Sequence, residues 1–252
     1  VHEVTPTPVS NAFYVKIDES SNFAAQQKPL LTLLLLSSMI LKVQSSLDEL
    51  QEQLKSIEER REKLITGTRK IVILCGKSIV AMHRNEIEDG RKKIEEARLL
   101  LNEFRPYVKT DLQRYMADAE QEFVEASMLK SICEGTTLPL REDLNVSGPS
   151  YITGILDSIG EIKRLIYDRM RTSQTPDVMI LFDLMQELYN AVYPFGVYDN
   201  LIPGLRRKLD ISKMITEDIR AAVTEHSRRE SMINALTSLE KNCGSSEVHK
   251  KY

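Results

Sequence analysis

Two short segments place acidic side chains at spacings that suit chemistry. In Gln121-Glu122-Phe123-Val124-Glu125-Ala126 the two glutamates stand at i,i+3. In Asp157-Ser158-Ile159-Gly160-Glu161 the acids stand at i,i+4. On helices, each pair shares one face, and Asp118 lies one turn before Glu122 on the first of them. Like charges at these spacings destabilise an isolated helix by a few tenths of a kcal/mol, so a compensating charge is expected. A divalent cation held between two facing helices would supply it. All-oxygen donors suit Mg²⁺ or Mn²⁺, which take few protein carboxylates and keep several waters. Such an ion activates water and neutralises a phosphate, the requirements of phosphodiester cleavage. Gly160 inside a helix costs about 1 kcal/mol relative to Ala and would let a neighbouring helix or a substrate come close. The plainer alternative is a solvated pair of acids, common in a chain with 28% charged residues.

A phosphate substrate needs cations as well. Candidates are Lys163 and Arg164 just past Glu161, then Arg69, Lys70, Lys77, His83 and Arg84, and Arg206, Arg207 and Lys208 further on. Each is otherwise a solvated surface charge. Tyr115 and Tyr167 are candidates for base stacking, or else residues at the edge of a core. The four histidines never pair at i,i+3 or i,i+4, and Cys75, Cys133 and Cys243 form no C-x-x-C. Zinc and disulfide frameworks are therefore unsupported, and buried free thiols in a reducing cytoplasm are the expectation.

The elements that must position these residues are helical. The 252 residues include only 10 Gly and 9 Pro, which argues against a turn-rich β fold. Ile40, Val43, Leu47, Leu50, Leu54, Ile57 and Leu64 alternate at spacings of three and four, a heptad-like stripe on a long helix. That helix is expected to continue to Met82, with a bend near Gly67. Asn85 reads as the N-cap of a second helix, ended by Pro106. A third is expected from about Lys109 to Cys133, closed by Gly135, then a loop to 149. A fourth spans about 150–172 and a fifth begins at Thr175-Pro176-Asp177. A last long helix starts at Pro203 and runs to about Lys241.

No strand, no G-x-G-x-x-G, no Walker A pattern and no G-x-S-x-G is present. The fold class is all-α, an elongated antiparallel bundle. The domain division is 1–38 as an N-terminal extension, 39–241 as one helical domain and 242–252 as a polar tail. The apolar run from Leu30 to Leu41 is about 12 residues, short of the roughly 20 that span a bilayer. A cytoplasmic protein without a membrane is expected. The stripe over residues 40–64 exceeds what one bundle needs, so a homo-oligomer is expected too. A formal net charge of −3 argues at first against a nucleic-acid partner. Setting aside the four acids of the two pairs leaves the remainder at about +1.

The motifs resemble the translin/Trax family. Residues 121–126 are similar to the Q-E-[FY]-V-E-A stretch of Trax. Tyr151-Ile152-Thr153-Gly154-Ile155-Leu156-Asp157-Ser158-Ile159-Gly160-Glu161 is similar to its Y-L-x-G-x-x-D-x-x-G-E segment. Tyr193-Pro194-Phe195 and Leu205-Arg206-Arg207-Lys208-Leu209-Asp210 resemble archaeal members. The resemblance covers roughly residues 40–230 and implies a seven-helix bundle that assembles into hollow octamers. It implies binding of RNA, and of single-stranded DNA, by translin-type subunits. It also implies a Mg²⁺-dependent endoribonuclease site in Trax-type subunits, carried here by Glu122, Glu125, Asp157 and Glu161. Translin has Arg at the place of Glu122, which puts this chain on the Trax side. The loop after the third helix is short, about 15 residues, as in archaeal relatives, and residues 1–38 have no counterpart. The resemblance therefore implies a metal-dependent endoribonuclease within a homo-oligomeric shell, with a translin-type partner subunit as a further possibility. The alternatives are a non-catalytic translin-like RNA/DNA-binding protein and a coiled-coil scaffold.

Overall fold

The computed structural model describes residues 23–109, 111–172 and 175–247. The expected extension over 1–22 and the end of the tail, 248–252, lie outside them. Among the described residues there are seven α-helices, one 3₁₀ turn and no strand. They are α1 (Phe23–His83), α2 (Ile87–Val108), α3 (Arg114–Glu134), the one-turn α4 (Arg141–Leu144), α5 (Gly148–Arg171), α6 (Thr175–Val192), the 3₁₀ turn Tyr193–Tyr198 and α7 (Leu205–Glu247). The all-α expectation holds. No helix of the described residues is long and apolar enough to cross a membrane.

The chain divides into two units, residues 1–57 and 58–252. In the first, α1 carries the heptad stripe in the open: Ile40, Val43, Leu47, Leu50 and Leu54 are all about half exposed or more. The second unit holds the buried core and all the candidate site residues.

Several boundaries differ from the sequence expectation, each for a local reason. Asn85 does not cap α2. It ends α1 in the left-handed conformation (φ 62°), with Asn85 N–H donating to Met82 O and Glu86 N–H to Ala81 O. That is the two-bond C-terminal closure in which Asn is the usual substitute for Gly. Pro106 does not end α2 but sits inside its last turn, where it forfeits one bond near an end that frays anyway. The chain instead turns at Lys109 (φ 40°), and α3 starts later than expected, at Arg114. The loop after α3 contains the single turn α4. Gly135 does close α3, at φ 65°. Gly204, at φ 80°, delays α7 to Leu205. Asp199 Oδ1 then accepts from the Arg206 N–H at 2.8 Å.

Within the second unit α5 packs against α3, α6 and α7. Its start is pinned to α3 by polar contacts. Ser147 Oγ accepts from Ser150 N–H, Glu120 Oε2 accepts from Ser147 N–H at 3.0 Å, and Ser150 Oγ donates to Ala117 O at 3.1 Å. These contacts make α3 and α5 run in the same direction, so equivalent turns lie side by side. At Gly154 the approach is closest: an added Cβ would stand 2.6 Å from Val124 Cβ and 2.7 Å from Gln121 O. Gly67 serves α2 in the same way, because the Phe104 ring fills the space where its Cβ would be.

Candidate acidic site and its basic rim

The close contact at Gly154 sets the register of the two acid pairs. One turn beyond it, Glu122 and Glu125 of α3 and Asp157 of α5 open into one cavity of about 510 Å³. The first turns of α7 form the opposite wall, with Arg207, Lys208 and Ser212 beside the apolar Ile211 and Ile215. Leu156 and Gly160 complete the α5 side. Gly160 is therefore not a helix-contact glycine. An added Cβ there would meet nothing within 4 Å, so its role is to leave space in the cavity.

The acids perturb one another strongly. Glu125 is pushed up to about 8, first by burial and then by Asp157, Glu122 and Glu161, with Lys208 opposing. Glu122 is raised too, by burial and then by Asp157, again with Lys208 opposing. Burial is the larger cause in both, since a carboxylate deprived of water favours its neutral form. Cys75 of α1 lies within the field of these acids. Burial, then Glu122 and Glu125, push its thiol well above the ordinary range, so it is an inert core thiol.

Two basic side chains pair with the acids. Lys208 Nζ donates to Asp157 Oδ1. His83 Nε2 pairs with Glu161 Oε2 in a contact that leaves the imidazole almost wholly buried and its Nδ1 without a partner. Glu161 is thereby held at His83 and does not line the cavity. Its influence on Glu125 is through space.

Of the ten candidate cations, Arg207 and Lys208 line the cavity. His83 holds Glu161. Arg206 lies next along α7, with its guanidinium 4.0 Å from Asp210. Arg69, Lys70, Lys77, Arg84 and Arg164 are exposed and Lys163 half-buried, and none lines the acid cavity. Tyr115 is engaged, its hydroxyl accepting from Arg61 and Arg114. The α7 face Lys208, Ser212 and Ile215 escaped the sequence reading beyond its lysine, although its i,i+4,i+7 spacing marks one side of a helix.

The donor set suits a hard divalent cation, because three clustered carboxylates destabilise each other's charge and such an ion relieves that. Among the described residues no three His, Cys, Asp or Glu side chains stand close enough to enclose an ion as placed. Asp157 and Glu161 are instead paired with Lys208 and His83.

Comparison with known proteins adds three findings. No family model matches the chain. An uncharacterized protein of Methanocaldococcus jannaschii is 35% identical over 104 residues, 41% of this chain and 46% of that protein, so the match spans under half of its length. Among solved structures, AfC3PO in complex with duplex RNA has a TM-score of 0.68 at 24% identity, over 73% of this chain and 97% of that one. AfC3PO alone gives 0.67 at the same identity and coverage, and apo-NeC3PO gives 0.63 at 24% identity over 71% and 96%. The chain has the fold of these C3PO structures.

Proposed function

We propose that this chain is a Trax-like member of the translin/Trax family and that the acidic cavity is the site of a metal-dependent endoribonuclease. The observation that carries the proposal is one cavity in which three mutually repelling carboxylates face two cations of α7. Support comes from the C3PO fold and from the capture of duplex RNA by AfC3PO. Glu122, Glu125 and Asp157 would hold Mg²⁺ or Mn²⁺, which supplies charge neutralisation at a phosphate and a more acidic water. Arg207, without an acid partner among the described residues, takes a non-bridging phosphate oxygen. Lys208 is a second phosphate donor once it leaves Asp157. Glu161, fixed by His83, is a positioning residue that keeps negative charge behind Glu125. Leu156, Ile211 and Ile215 limit water around the reacting group.

The assembly belongs to the same proposal: a homo-oligomer, octameric by the family resemblance, with RNA or single-stranded DNA as ligand and room for a translin-type partner. The exposed stripe on α1 supports association. Purified protein should cleave single-stranded RNA with Mg²⁺, stop with EDTA, and lose cleavage in Glu125→Gln with the oligomer intact. Full cleavage by that variant rejects the catalytic assignment. The second reading, a translin-like binding protein without catalysis, is favoured by the failure of three acids to converge on one point. It predicts salt-dependent binding and no turnover in any divalent metal.

A further inference from the structure

The acid cavity is the first of three adjoining hollows set side by side around the first turns of α7. It shares Gly204, Arg207 and Ile211 with a neighbouring hollow. That hollow in turn shares Arg206 and Asp210 with a third, of about 300 Å³, built on Tyr189, Tyr193 and Lys213. This third cleft differs in chemistry from the first. The Tyr189 and Tyr193 rings lie 5.8 Å apart at 46°, and Tyr193 is 61% exposed, more than a ring serving the core would be. Lys213 has no acid partner among the described residues and Arg206 only a loose, exposed one. Asp199 is spent on the start of α7, while Asp210, 4.0 Å from the Arg206 guanidinium, lines the cleft with a carboxylate acceptor. A π-face, two cations and a carboxylate acceptor together match one unpaired nucleotide: base on ring, phosphate on cation, base N–H on carboxylate.

The cleft takes Arg206, Asp210 and Lys213 (i,i+4,i+7) and the acid cavity takes Lys208, Ser212 and Ile215, neighbouring faces of the same turns of α7 joined by the hollow between them. We infer that the Tyr189–Tyr193 cleft is a nucleobase subsite that seats an unpaired nucleotide of the same strand whose phosphate is held in the acid cavity. The inference rests on the proposal that this chain binds RNA, and it names the substrate class: strands with an unpaired flank, in preference to blunt duplexes. The strand runs from Tyr193 over Arg206 and Arg207 to the acids.

The test uses the full chain in EDTA, so that cleavage plays no part. Single-stranded RNA oligomers carry 2-aminopurine at successive positions, and a blunt RNA duplex serves as comparison. On binding, one position should be quenched. Tyr193→Ala should abolish that quench and weaken single-strand binding about tenfold, the usual scale for one stacked base. Tyr193→Trp should retain both, and blunt-duplex binding should be unchanged in all three proteins. Wild-type quenching and affinity in Tyr193→Ala overturn the subsite, as does an equal loss on the blunt duplex. Failure of the wild-type chain to bind any RNA overturns instead the functional proposal beneath it.

Discussion

Glu125 makes the stability of the metal-free protein depend on pH in a direction opposite to that of most carboxylates. Its folded-state carboxyl stands at about 8 against an ordinary 4.5. Below pH 4.5 the group is protonated in both states and contributes nothing to the pH dependence. Between about 4.5 and 8 the unfolded chain releases a proton that the folded chain keeps, so stability falls as pH rises through this window and is level above it. At about 1.4 kcal/mol per unit, the shift sets a ceiling of about 5 kcal/mol. Lys208 opposes the shift and can swing from Asp157 toward Glu125 as it ionises, so we expect on the order of 2–3 kcal/mol to be observed. Glu125→Gln keeps the shape and removes the titration. In EDTA the variant should match the wild type near pH 5 and exceed it at pH 8.5 by that amount, roughly 5–10 °C in Tm for a chain of this size. Millimolar Mg²⁺ should recover the loss in the wild type at pH 8.5, since a ligand of the folded state stabilises it, and should leave the variant unmoved. Urea titrations at three pH values, with and without Mg²⁺, measure all of this. The other charged and titratable groups around Glu125 (Asp118 and Glu122 on α3, Asp157 and Glu161 on α5, Arg207 and Lys208 on α7, Cys75 and His83 on α1) are present in both proteins, so the difference reports Glu125 and its coupling to them. Equal slopes for the two proteins would refute the argument.

Two glycines of α5 separate packing from function. Gly154→Ala places a methyl 2.6 Å from Val124 Cβ and 2.7 Å from Gln121 O, so α3 and α5 must part. We expect a loss of about 1–3 kcal/mol in urea unfolding despite the better helix propensity of Ala. Gly160→Ala meets nothing within 4 Å and should stabilise by roughly 0.5–1 kcal/mol. The same methyl stands in the acid cavity, so RNA cleavage should fall while thermal stability rises, and a fall in both would contradict the open space at that position.

The helix content and the closure of α3 at Gly135 are legible because each depends on neighbours in sequence, whereas of the two acid pairs Glu122, Glu125 and Asp157 share the cavity and Glu161 does not. Asn85 is ambiguous in sequence because Asn suits both an N-cap and a left-handed C-terminal position, and only the backbone decides between them. The two α5 glycines look alike in sequence, and which one touches α3 depends on the parallel packing set by Ser147, Ser150 and Glu120. The pairing of Lys208 with Asp157 and of His83 with Glu161 joins residues 51 and 78 positions apart, beyond the reach of any local pattern. The Tyr189–Tyr193 cleft needs the 3₁₀ turn that follows α6 to bring its second ring beside Arg206.

Net charge illustrates why position outweighs composition. A chain at −3 gives no hint of an anionic ligand. The acid cavity itself holds three carboxylates against Arg207 and Lys208, but with Glu125 pushed up to about 8 its lining is close to neutral at pH 7. Addition of one divalent cation would turn the same lining positive wherever Glu125 stays protonated, and about +1 if it ionises. On the proposed metal-dependent reading, affinity for a phosphate would be switched on by the metal rather than built permanently into the surface, while the cations of α7 would guide the strand at its edge. This argues that salt-dependent RNA binding in EDTA should draw mainly on Arg206, Arg207 and Lys213, and that Mg²⁺ should strengthen binding even though it competes with those same side chains for phosphate.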